Sequence, residues 1–318
     1  MDATRAISEQ YRRFGRIEAR GKSPLYQRLC EALAEDPELI RFLGDQPPAK
    51  RLPTLLFAAV RYLFGTQPDY AAFRAVVLDH RSEVAEVLRT RRTQTNEPGR
   101  CATLLPVLAA LPQPLALLEV GASAGLCLLP DRYAYRYPAR QVGEAEVVFP
   151  CATHGPVPVP DRPPTVVWRA GVDLDPVDLE DDAEVRWLEA LVWPEEADRL
   201  ERLRKAILIA REKRPRVVRG DLLDVVRPLA LEAPADATLV IFHTAVLAFL
   251  SADERRHFAA QVRRLPGEWI SNEGPDVLPE IPSSRAQPKA ASHFVIGRNG
   301  RWAVAFCDPH GRWLQWTG

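Results

Sequence analysis

Leu117-Leu118-Glu119-Val120-Gly121-Ala122-Ser123-Ala124-Gly125-Leu126 is the stretch whose reading decides the fold. Leu117, Leu118 and Val120 are the apolar body of a buried strand, interrupted by the single carboxylate of Glu119. From Gly121 every residue to Gly125 is small, so the chain turns sharply and enters a helix, with backbone that a ligand can approach closely.

Toward the C-terminus this pattern repeats. Short apolar runs, several of them β-branched, fall at Leu115 to Val120, Thr165 to Trp168, Arg216 to Arg219, Thr238 to Phe242 and Glu268 to Ser271, with helical stretches between most of them. Strands alternating with helices imply a parallel sheet covered on both faces. Asp182 to Lys213 reads as helix that must break near Trp193-Pro194, where the proline starts a second one. Its arginines and lysines are spread around the helix as a solvated surface. The Pro-rich interval Tyr137 to Pro164 contains Ala145 to Phe149 and Val157 to Val159, expected to form an inserted hairpin. At the end of the chain, His293 to Gly297, Asn299-Gly300 and Trp302 to Cys307 carry the turn chemistry of a type I′ hairpin.

Toward the N-terminus, from Ala6 to about Leu111, apolar residues recur at helical spacing, for example Leu25, Leu29 and Leu33. Ser23-Pro24 reads as an N-cap serine with proline in the first helical position. The expected organisation is a helical segment over 1–112, acting as a lid, and an α/β domain over 113–318. The polar stretch Arg92 to Arg100 precedes the first strand and is placed either near the mouth of the site or as a connector in which Thr95 or Asn96 caps the next helix.

Lys plus Arg and Asp plus Glu number 42 each, so no global field favours nucleic acid or a membrane surface, and a small-molecule partner is expected. The five cysteines are scattered, with no CxxC pair and no Cys/His spacing for zinc, which points to reduced thiols and no metal. The charged N-terminus lacks the apolar stretch of a signal peptide, and the cytoplasm is the expected location.

The opening stretch resembles the first motif of class I S-adenosylmethionine-dependent methyltransferases: an acidic residue, one apolar residue, then glycines at alternate positions. Glu119, Gly121 and Gly125 match, and Ser123 stands where the middle glycine would be. The resemblance implies a doubly wound, mostly parallel α/β sheet of the methyltransferase-like Rossmann kind, ending in the antiparallel hairpin. It also implies S-adenosylmethionine as cofactor, lined by Glu119, Gly121, Ser123 and Gly125. Asp173, or else Asp175, would hold its ribose, and Asp221 would lie near its adenine, unless it simply N-caps the helix from Leu222. His243 would be a candidate base or a structural imidazole, and Asn272 and Glu273 would contact the acceptor. Ser251 and Glu254 have capping-box spacing for the helix that follows.

Three other readings share these residues. Gly121 to Gly125 fit the G-x-S-x-G nucleophile elbow of serine hydrolases, with Ser123 served by an acid such as Asp221 and by His243 or His310. Everything before Pro114 reads helical, however, and the chain has no His-Gly-Gly stretch for an oxyanion loop. The dinucleotide fingerprint G-x-G-x-x-G meets Ser123 and Leu126 where its later glycines belong. A non-catalytic binding module is the third. Across Gln94 to Arg100, Leu118 to Tyr133, Arg169 to Pro176, His243 to Leu250, Trp269 to Glu273 and His310 to Trp313, the chain is similar to a bacterial family catalogued only as a domain of unknown function.

Overall fold

The computed structural model describes residues 3–94, 96–281 and 287–317. The chain divides into two compact units, Met1–Thr95 with Asp181–Glu201, and Asn96–Glu180 with Arg202–Gly318. A boundary drawn at residues 112–113 falls inside the second unit.

The first unit holds α1 (Ala3–Phe14), α2 (Pro24–Leu33), α3 (Pro37–Gly44), α4 (Pro53–Phe64), α5 (Tyr70–Asp79) and α6 (Arg81–Thr90). Ser23 caps α2 as expected, its hydroxyl accepting from the Tyr26 amide at 3.1 Å. Phe57 of α4 sits in an aromatic cluster with Tyr11, Phe14, Tyr26 and Phe73. Burying rings of that size dominates the energetics of such a core.

The second unit opens with α7 (Arg100–Ala109) and β1 (Leu115–Val120). Short strands follow: β2 (Ala134–Arg136), β3 (Gln141–Val142), β4 (Val148–Pro150) and β5 (Ala152–His154). Then come β6 (Val166–Asp173), α8 (Asp182–Ala190) in the first unit, α9 (Ala197–Lys213), which belongs to the second unit from Arg202 onward, and β7 (Arg216–Arg219). The chain closes with α10 (Leu222–Ala230), β8 (Thr238–Thr244), α11 (Ala252–Val262), β9 (Glu268–Glu273), β10 (Phe294–Arg298), β11 (Trp302–Cys307) and β12 (Trp313–Trp316). Ser251 and Glu254 form the expected capping box at α11.

The main sheet runs β5-β12-β11-β10-β9-β8-β1-β6-β7. The five strands from β9 to β7 are parallel, and β10 to β12 continue antiparallel. Every residue of β1 is buried, as a central parallel strand covered on both faces requires. On one face Leu118, Val120, Ala170, Val172, Leu239 and Ile241 share a core with α10 and α11. The alternate residues, Leu117, Glu119, Val240 and Phe242, point to the other face.

Four local expectations are corrected. The loop after β1 enters two single 3₁₀ turns, Leu126–Leu128 and Pro130–Arg132, rather than an α-helix, because Pro130 lacks an amide and its ring keeps Leu129 out of helical geometry. The second strand runs on through Arg169 and Gly171 to Asp173; glycine is needed there, since a Cβ at 171 would lie 2.4 Å from the Ala122 Cβ. Val157 to Val159 is not a strand: β3 and β4 of the interval flank β2, which precedes it, in a small sheet β3-β2-β4, and β5 joins the main sheet beside β12. The terminal hairpin is present, with Asn299 and Gly300 both at positive φ as a type I′ turn requires, but it gains β12 as a further strand. Among the described residues no helix is long and apolar enough to cross a membrane.

Candidate functional site

In an open sheet of this kind ligands bind beyond the carboxyl ends of the strands, where the order of the strands reverses. Here that point lies between β1 and β8, because the chain goes outward from β1 to β6 and β7 and then returns to β8 on its other side. The Glu119–Gly125 loop leaves β1 at this point.

Gly121, Ser123 and Gly125 all adopt positive φ, at 69°, 50° and 69°. Two are glycine, which takes this region freely, and serine bears some cost. Gly121 is also required by packing, since a Cβ there would lie 2.2 Å from Val246 Cγ2. Every amide of the turn is taken within the protein. Gly121 and Ala122 donate to the Val172 carbonyl, Ser123 to Asp173 Oδ2 at 2.8 Å, Ala124 to Asn96 Oδ1 at 2.9 Å, and Gly125 to the Ala122 carbonyl. Asn96 also donates from Nδ2 to Ser123 Oγ at 2.7 Å, which places the middle of the polar 92–100 stretch against the loop.

Asp173 closes β6 and accepts one amide on each oxygen, from Ser123 and from Asp175 at 2.9 Å. A carboxylate has about four acceptor positions, so capacity remains for hydroxyl donors. Asp175 instead points outward and pairs with Arg219. Asp221 is exposed and N-caps α10 through the Leu223 amide at 2.8 Å. The exposed apolar side chains Leu174 and Phe249 stand on the segments leaving β6 and β8, on either side of β1.

Glu119 is only 3 % exposed, and its Oε2 has no hydrogen-bond partner. Burial raises its carboxyl well above the usual carboxylate range, with Cys127 and Asp173 adding and Arg100 opposing. Arg100 is itself buried, donating to the carbonyls of Pro309 and Thr244 and to Thr244 Oγ1.

The sheet separates the residues expected to face an acceptor. His243 and Glu273 lie on the face of α11, whereas Asn272 points to the opposite face and accepts from Cys307 Sγ at 3.2 Å. His243 is fully buried. The Trp269 indole donates to its Nε2 at 3.0 Å, which leaves the proton on Nδ1, and Nδ1 donates to Glu273 Oε1 at 2.7 Å. Both nitrogens of His243 are therefore engaged within the protein. Glu273 Oε1 also accepts from the Val246 and Leu247 amides. Asn96 is expected at the mouth of the site or as a helix cap and stands against the loop, whereas Arg100, Thr244 and Trp269 have no individual role in the sequence and become visible only in the fold.

The fold defines a mixed α/β protein whose Glu119–Gly125 turn lies at the switch point of its parallel strands. Residues 8–316 match the family described as an uncharacterized protein conserved in bacteria, DUF2332, and the chain belongs to that family. No curated protein matches it.

Proposed function

We propose that the α/β unit binds S-adenosylmethionine at the Glu119–Gly125 loop and transfers its methyl group to a small-molecule acceptor. The observation that carries this reading is the turn at the β1/β8 switch point, whose five amides are all engaged within the protein. A phosphate-binding loop presents free amides to its anion. This one offers none of those five, which supports a nucleoside ligand without phosphate over a dinucleotide.

The residues present fit such a group. Asp173 has acceptor capacity for a ribose, Asp221 lies at the neighbouring strand end, and Leu174 and Phe249 offer apolar surface to a base. Glu119 has a buried oxygen without a partner on the strand that feeds the loop. Bound there, S-adenosylmethionine would supply a methyl group already activated on sulfonium. The protein's own task is then to hold donor and acceptor in line and to exclude water, which requires no base from His243.

The hydrolase reading has less support. The hydrogen-bond partner of Ser123 Oγ is the Asn96 amide, His243 is committed to Glu273 and Trp269, and His310 Nδ1 lies 3.6 Å from Glu97 Oε2. No imidazole among the described residues is bonded to the serine as a general base must be.

Calorimetric titration of the full chain with S-adenosylhomocysteine tests the proposal. Saturable binding is expected, weakened at least tenfold in a folded Asp173→Asn variant. Absence of binding to the unmodified chain overturns it.

A further inference from the structure

On the α11 face of the sheet, beyond the carboxyl end of β9, lies a cavity of about 250 Å³. Leu278, Ile281 and Phe306 form much of its apolar wall, and Ser271, Glu273 and His293 contribute polar groups. Ser271 and Glu273 are 1 % and 2 % exposed, yet Ser271 Oγ and Glu273 Oε2 have no hydrogen-bond partner among the described residues. Their strand positions put both side chains on the same face, two residues apart. A buried polar atom left unpaired destabilises the fold, so two together beside one cavity call for a hydrogen-bonding partner inside it.

The carboxylate shows what kind of donor. Glu273 Oε1 is saturated by His243 Nδ1 and by the Val246 and Leu247 amides, so its orientation is fixed and Oε2 is the oxygen left over. The imidazole of His293 is turned to the Ala290 and Ala291 carbonyls, which its Nδ1 meets at 3.0 and 3.2 Å, so that nitrogen is the donor and offers nothing to the cavity. The buried polar side chains of the lining, Ser271 and Glu273, thus offer the cavity an acceptor pair that includes a carboxylate oxygen, against an apolar wall.

We infer that this cavity binds a small organic ammonium ion with a compact apolar body, its N–H groups donating to Glu273 Oε2 and Ser271 Oγ. The volume, below the roughly 300–1,000 Å³ of pockets for drug-sized ligands, suits such a molecule. This site does not depend on the cofactor reading: it lies across the sheet from Asn272 and is formed by other residues.

Competition between matched probes tests it, using calorimetry on the full chain in the absence of any nucleoside. Cyclohexylammonium and n-butylammonium are expected to bind at least tenfold more tightly than cyclohexanol and butan-1-ol. In Glu273→Gln the amide oxygen can keep the three donors of Oε1 while its NH2 replaces Oε2, and the preference for ammonium is expected to vanish. Val295→Trp leaves Glu273 in place and fills the cavity from β10, so binding of every probe is expected to fall at least tenfold. No binding by either ammonium, equal binding of ammonium and alcohol, or ammonium binding unchanged in a folded Val295→Trp chain overturns the inference. S-adenosylhomocysteine binding in the Val295→Trp chain reads the cofactor proposal separately.

Discussion

Glu119 and Glu273 are the same residue at the carboxyl ends of two strands of one sheet, with only β8 between them, and both are almost fully buried. Each keeps one oxygen without a partner, but the rest of their surroundings differs. The other oxygen of Glu273 accepts three hydrogen bonds and fixes the chain after β8, while burial drives the Glu119 carboxyl toward the protonated form. Three donors on one oxygen make a buried carboxylate part of the frame. Without them the group is destabilised, here where the fold places ligands.

The largest effect should come from removing the frame. Glu273→Ala leaves the His243 Nδ1–H and two amides without their acceptor, and unfolding in urea should show a loss of about 3–5 kcal/mol. A loss under about 1 kcal/mol would erase the contrast between the two glutamates.

Gly121→Ala should cost about 2–3 kcal/mol, because the new methyl meets Val246 and the backbone stays at positive φ. Adding Val246→Ala should recover part of that loss in a double-mutant cycle, whereas purely additive effects would mean that the loop does not rest on Val246.

Glu119 predicts a pH dependence. Its folded carboxyl value is raised above the ordinary 4.5, so the folded chain binds the proton more tightly than the unfolded one. Its contribution to stability is full below 4.5 and is lost as pH rises through the folded value. Glu119→Gln cannot ionise, so relative to the unmodified chain it should gain stability as pH rises above 4.5 and toward the folded value. Parallel stability curves across that range would contradict a raised carboxyl.

The smallest effect is expected at Ser123. Ser123→Gly relieves positive φ but loses the Asn96 bond, so thermal midpoints should correspond to a change within about 0.5 kcal/mol, while Ser123→Ala, which keeps the strain, should cost about 1 kcal/mol. A larger loss in Ser123→Gly than in Ser123→Ala would mean that the φ of 50° is not what limits this position.

Much of the frame could be read from local chemistry. Ser23-Pro24, the Ser251/Glu254 box and Asn299-Gly300 each behave as their side chains dictate, because caps and tight turns are settled within a few residues. The placement of β1 followed from an apolar run broken only by Glu119. What was not readable depended on distant partners. Arg169 and Gly171 look like strand breakers, yet Arg169 bonds Asp131 and Gly171 lets the Ala122 loop approach, so β6 continues to Asp173. His243 looks catalytic in sequence because Trp269, which occupies its second nitrogen, lies on the next strand. Asn272 and Glu273 look like one polar pair until the pleat sends them to opposite faces.

The occupant proposed for the Glu119–Gly125 turn is a phosphate-free nucleoside. Amide hydrogen exchange of the full chain, with and without saturating S-adenosylhomocysteine, tests it most directly. Slower exchange is predicted across 121–125 and 173–175. Unchanged exchange in both segments, with saturation confirmed by calorimetry, would place the ligand elsewhere and contradict the account.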